Sequence, residues 1–259
     1  MENMPESSPQ AEPAVPAAAE TAAAPQALPS VPQPVPYWHT LLLLAVLGGM
    51  SLMNVKTGHG RSSGAAHLRL YLFTMLYEWL LVGYVWWGIR RAGGSLRELI
   101  GGRWQKVEDF LLDIGIAFGG WIATLFVLAM IAVAMGMDHA GNVGETQKQI
   151  GFLAPDSRWE IGLWLCLSAT AGFCEEILFR GYLQRQCTRL LRNRWLALAV
   201  VSVFFALGHG YEGSQRMVLI GVLGFGLGTM SLLRQSLRPA MIAHTTQDAI
   251  SGLLLRALR

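Results

Sequence analysis

Residues 159–184 read WEIGLWLCLSATAGFCEEILFRGYLQ. At ~1.5 Å per residue, a helix over this apolar run reaches across a bilayer core of ~30 Å. Inside it stand Glu175, Glu176 and Arg180. An acidic side chain at the bilayer centre costs roughly 3 kcal/mol even on lenient insertion scales, so each charge needs a reason. A helix puts Glu176 and Arg180 on one face, the acid N-terminal to the base, which is the better orientation for an ion pair. Glu175 then points ~100° away and is left unpaired. The spacing predicts that Arg180 neutralises Glu176 and locks the turn, while Glu175 stays free for general-base work. The alternative is a purely structural polar network between helices.

Six more apolar segments flank this one, at Trp38–Val55, Leu68–Ile89, Phe110–Met137, Trp195–Gly210, Met217–Leu233 and Pro239–Leu258. Hydrophobic residues make up 53% of the 259 and charged ones only 14%, against about 25% charge in soluble domains. The composition excludes a disordered chain and a soluble nucleic-acid binder. Backbone groups in lipid must be satisfied within the segment, and the ~10-residue alternation of a membrane barrel is absent, so the segments are helices. The expected fold is all-α, a polytopic transmembrane bundle of about seven spans with an intramembrane cavity. The fifth and sixth segments are short, and either extends into its flank or is partly re-entrant.

Residues 1–36 hold nine of the eleven prolines and nine alanines. They lack the large apolar side chains that offset ordering entropy, which predicts a disordered Pro/Ala-rich tail. No basic n-region followed by an apolar h-region marks a secretory signal there. Residues 37–158 are then N-terminal transmembrane helices and 159–259 a catalytic helical core. The basic residues of 90–106, 185–194, Arg234 and Arg238 number 11 on one side, against eight on the other. That bias predicts a cytoplasmic N-terminus. The three cysteines show no CxxC or zinc-finger spacing, so no disulfide framework is implied.

Two further polar groups fall in apolar runs. Phe205 and His209 stand four apart in the fifth segment, and His244 and Asp248 share a helical face in the seventh. Counted from the arginine-rich side at ~1.5 Å per residue, Glu175, His209 and His244 lie roughly 15, 21 and 8 Å in, so antiparallel helices can bring them to one cavity. Two histidines, a free glutamate and an aspartate around a wet pocket are the parts for activating water and stabilising an oxyanion in amide hydrolysis. In one mechanism Glu175 is the base, and the histidines with Asp248 hold the water and oxyanion without metal. In the other, some of Glu175, His209, His244 and Asp248 ligate zinc, which lowers the pKa of its water to ~7. The HExxH spacing is absent, which weakens the second. A non-enzymatic transporter, immunity or scaffold protein using the same cluster is the rival class, although no paired halves with broken helices are visible.

At these residues the sequence resembles the CAAX protease and bacteriocin-processing family of intramembrane endopeptidases, which includes the type II CAAX prenyl proteases. Glu175, Glu176 and Arg180 match its EExxxR motif, Phe205 and His209 its FxxxH, and His244 and Asp248 its HxxxN or HxxxD, in order over about Trp159 to Leu258. The resemblance implies a cavity open to the cytosol, a water activated by the first glutamate, and assistance from both histidines. Many members carry Asn where this chain has Asp248, and a carboxylate there orients a histidine, accepts from the substrate or binds metal. The family is described as metalloproteases and as glutamate proteases, so the cofactor stays open between none and zinc. The implied partners are the bilayer and a membrane-associated protein or peptide, its prenylation left open, with no nucleic acid. The implied location is a bacterial inner membrane, with the site toward the cytoplasm.

Other residues take simpler readings. Gly224 and Gly228 form a small-xxx-small pair for close helix packing. Glu78 is an intramembrane acid without a partner in its own segment; it either lines the cavity or pairs across helices, and a structural role is the safer reading. Cys174 is buried and inert, not a nucleophile. Trp38, Trp86, Trp87, Trp104, Trp159 and Trp195 sit at segment ends as interfacial anchors. Phe205 is a packing residue that sets the helix carrying His209.

Overall fold

The computed structural model describes residues 34–57, 64–137 and 141–258. The expected tail therefore lies outside the described residues, apart from 34–36. Helices α1 (Tyr37–Thr57), α2 (Gly64–Arg91), α3 (Leu96–Ile100), α4 (Val107–Ala134), α5 (Gly141–Ile150), α6 (Arg158–Leu191), α7 (Arg194–Gly208), α8 (Ser214–Arg234) and α9 (Arg238–Ala257) follow in order. Among the described residues there is no strand, and the all-α expectation holds.

Seven of these helices coincide with the seven apolar segments. The two it did not anticipate, α3 and α5, are short and lie between segments. Four helices are long and apolar enough to cross a membrane by length and composition, over Ala66–Arg91, Val107–Ala134, Arg158–Leu191 and Ser214–Arg234. Seven spans are thus not matched by seven span-length apolar helices. The fifteen residues of α7 reach only ~22 Å.

Local chemistry sets the helix ends. Ser157 Oγ accepts from the Glu160 N–H at the start of α6, and Asn193 Oδ1 accepts from the Trp195 and Leu196 N–H groups at the start of α7, which satisfies donors that no helical turn can. Pro239 occupies the first turn of α9, where its missing N–H costs nothing. The outer faces are greasy: Phe118, Ile122, Phe126 and Met130 on α4 are all exposed. Exposed large apolar side chains in such numbers need a lipid solvent. The six segment-end tryptophans are exposed as well.

The centre of the bundle is α6. It packs against α2 and α9, and its C-terminal part against α7, while α8 lies on α4 and α7. Ile177, Leu178 and Leu183 of α6 are fully buried with Leu43, Val85 and Phe205. Residues Glu176–Leu183 form a π-helical stretch inside α6, a rare geometry that occurs mostly at functional sites. Gly181 sits in it where a Cβ would lie 2.8 Å from the Leu99 side chain. An unanticipated polar network fixes α1 to the same stretch: the His39 ring bonds the Tyr182 hydroxyl at 2.7 Å, and Gln186 donates to Thr40 at 2.9 Å.

A second unanticipated network surrounds Asp113, a fully buried acid on α4. It accepts from Arg234 Nε at 2.7 Å, Arg238 Nη1 at 3.3 Å and Trp104 Nε1 at 2.7 Å. Arg234 and Arg238, counted above as loop charges, are therefore partly internal pairs.

Candidate active site

The three motif segments converge. Arg180 donates to Glu176 Oε1 at 2.8 Å, and both side chains are almost wholly enclosed. The other Arg180 arm donates to the Gly224 carbonyl on α8 at 2.9 Å, and the guanidinium lies 4.3 Å from the Phe205 ring centre. Gly224 is glycine for a local reason: a Cβ would sit 2.9 Å from Arg180 Nη2 and 3.0 Å from the Phe205 ring. The small-residue pair is thus a packing device, as Gly228 is against Leu198.

Glu176 has a second partner. His244 Nδ1 lies 2.9 Å from Glu176 Oε1, so the carboxylate holds the Nδ1–H and orients the ring. That leaves Nε2 facing two other acids, Asp248 Oδ2 at 3.5 Å and Glu175 Oε2 at 3.8 Å. Glu175 has no hydrogen bond to that oxygen although it is buried. Arg180 was expected to hold Glu176 by itself; the structure adds His244, which joins the first and third motifs.

The depth arithmetic had placed His244 nearer the surface than Glu175. Pro239 is not an exposed helix start from which depth can be counted. Arg238, at the first turn of α9, is buried against Asp113 and donates to the Gly101 and Gly102 carbonyls, so the start of the helix is covered by protein.

His209 caps the C-terminus of α7, its Nδ1 3.0 Å from the Phe205 carbonyl oxygen. Phe205 stands between the histidines, its ring centre 4.9 Å from that of His209 and 5.8 Å from that of His244. It is more than a spacer for its own helix, since it also lies under Arg180. Cys174, by contrast, belongs to the apolar core and is fully buried.

Glu175, His209, His244 and Asp248 line one cavity of about 880 Å³. Its walls are mainly apolar and come from both halves of the chain, including Leu44 and Leu47 of α1 and Phe73, Tyr77 and Glu78 of α2. Glu212, in the turn Gly210–Glu212, also lines it; enclosure raises its carboxyl pKa above the ordinary value, with His209 and Arg216 pulling the other way. Among the described residues no hydrogen bond reaches Glu78 Oε2, and the side chain lines the cavity. Its lone acid in an apolar run was the available signal, and lining the cavity is one of the two placements expected of it.

Zinc chemistry asks for three or more ligand atoms around one point. Among the described residues, no three of Glu175, His209, His244 and Asp248 bring ligand atoms within 4.8 Å of one another; the group that does is His67, Asp156 and Glu160. There Glu160 accepts from the His67 ring and the Asp156 N–H, both at 2.8 Å, which ties α2 to the start of α6. The four candidate ligands do not fit a zinc ion as arranged.

Residues 157–250 match the family described as type II CAAX prenyl endopeptidase Rce1-like. The match covers all three motifs and bears out the family resemblance. Together with the long apolar helices it supports an integral membrane protein. No curated protein and no solved structure matches the chain.

Proposed function

We propose that this chain, whose residues 157–250 belong to the CAAX prenyl endopeptidase family, hydrolyses a peptide bond of a membrane-associated protein or peptide by a water that Glu175 activates. One observation carries the reading: a cavity-lining glutamate with a buried, unbonded oxygen stands 3.8 Å from the free nitrogen of an oriented histidine. Glu175 takes a proton from water as the oxygen attacks the carbonyl carbon, giving a tetrahedral oxyanion. His244, carrying a proton on each ring nitrogen, donates its Nε2–H to that oxyanion with His209 assisting, and Asp248 steadies the His244 ring. Collapse breaks the C–N bond, and the leaving amine takes the proton from Glu175, giving a carboxylic acid and an amine. Glu176 and Arg180 are positioning residues that fix the π stretch and the orientation of the His244 ring.

The apolar walls suit a substrate that is lipid-anchored or membrane-spanning. Residues 159–259 supply the reacting groups and 37–158 close the cavity around them, with its opening toward the cytoplasm and the protein in a bacterial inner membrane. The test compares protein termini in membranes from cells with the wild type and with Glu175→Gln at equal abundance. Termini confined to the wild type are expected. Identical profiles from folded proteins, together with turnover of any wild-type substrate by Glu175→Gln, would defeat the assignment.

A further inference from the structure

Four acids are buried in the bundle: Glu78, Asp113, Glu160 and Glu176. Three have cationic or histidine partners from the protein itself. Asp113 is held by Arg234 and Arg238, Glu160 by His67, and Glu176 by Arg180 and His244. Glu78 is the exception. It is 5% exposed, its Oε2 has no hydrogen-bond partner, and the adjacent Tyr77 hydroxyl is equally unpartnered. An isolated buried carboxylate costs several kcal/mol, which folds normally offset by pairing.

Both side chains line the cavity, and its charges are unevenly matched. Glu78, Glu175, Asp248 and Glu212 are the acids on its walls; His209, His244 and Arg216 are the bases. His244 stands beside Asp248 and Glu175, and Arg216 hydrogen-bonds Thr146. Among the described residues the one cationic group that acts on Glu78 is His244, which is already shared by Glu176, Asp248 and Glu175, and open cavity remains beside the carboxyl.

We propose that Glu78 is a binding site for a cationic side chain of the substrate, a Lys or Arg near the cleaved bond, with the Tyr77 hydroxyl as a second acceptor. The proposal rests on reading the cavity as the place where a peptide lies. A lysine or arginine lays its methylene stem along apolar walls while its head finds a carboxylate, and Leu47 and Leu81 line the same cavity. A charge-assisted hydrogen bond in an enclosed site is about twice as strong as a neutral one. A peptide with an acidic residue at that point meets four carboxyl groups instead.

The test uses a fluorescent Leu/Ala peptide carrying one Lys, and copies with Gln or Glu in its place, bound to the Glu175→Gln protein in detergent. The Lys peptide is expected to bind at least about tenfold tighter than the Gln peptide. Adding Glu78→Gln should bring that ratio close to one, and Glu78→Lys should favour the Glu peptide. Equal binding of the Lys and Gln peptides, or a Lys preference that survives Glu78→Gln, overturns the proposal. The peptide comparison needs no change at Glu78, so it decides even where the variant accumulates poorly. Lys-selective binding with no cleavage by the wild type would sink the proteolytic reading and leave the cation site standing. Cleavage without charge selectivity would do the reverse.

Discussion

Replacing Arg180 with Met separates the scaffold of the site from its chemistry. The side chain is 3% exposed and holds Glu176 at 2.8 Å and the Gly224 carbonyl at 2.9 Å. Removing one partner of a buried ion pair typically costs 3–5 kcal/mol, because the other charge stays behind unpaired. An orphaned carbonyl adds part of its own ~1–3 kcal/mol, and His244 still supports Glu176, so the terms offset and a net loss of about 4 kcal/mol is expected. For a chain of this size that corresponds to a fall of roughly 10 °C in the unfolding midpoint. Thermal unfolding in detergent measures it. Glu176→Gln with Arg180→Met should recover much of the loss, since no buried charge remains, while activity stays low because the His244 ring has lost its carboxylate. A cost below about 1 kcal/mol for Arg180→Met, or a double variant no more stable than the single, would refute the pairing argument.

Gly224→Ala drives a methyl group against Arg180 and Phe205; kcat should fall at least about tenfold with a lower unfolding midpoint, and an unchanged enzyme would mean that α8 shifts freely. Cys174→Ala should keep full activity and lose about 1 kcal/mol of stability, because the thiol packs in the core away from the cavity. The folded state raises the pKa of Glu212 above 4.5, so it holds that proton more tightly than the unfolded chain. The stability this brings is complete below pH 4.5 and is lost as pH rises through the raised value. The midpoint of the wild type should therefore fall relative to Glu212→Gln over that rise, and parallel curves would contradict the enclosure of Glu212.

The polar residues of the site were legible because lipid makes each of them conspicuous. Helical spacing was enough to pair Glu176 with Arg180 and to align His244 with Asp248. Tertiary partners were not legible: periodicity has no term for His244 reaching Glu176 from a different helix, and a depth count fails where protein covers the start of α9. Glu78 was visible as an oddity, but only the cavity around it gives it a role. Asp113 escaped notice because its arginine partners lie more than 100 residues away, at positions that resemble ordinary loop charges. The π stretch left no sequence signal, since Glu176–Leu183 contains no proline and a single glycine.

That stretch ties two distant regions to a common register. Each residue of an ordinary α-helix turns the chain by ~100°, and a π turn absorbs about one extra residue. Ahead of it, α6 presents Glu175 to the cavity; at its end and just past it, the same helix presents Tyr182 and Gln186 to α1. Loss of one residue between them would swing the second pair by roughly a quarter turn, away from His39 and Thr40. Length within this stretch is therefore as constrained as chemistry: its residues can be exchanged one for one, but an insertion or deletion there must detach α1 or misdirect the carboxylate.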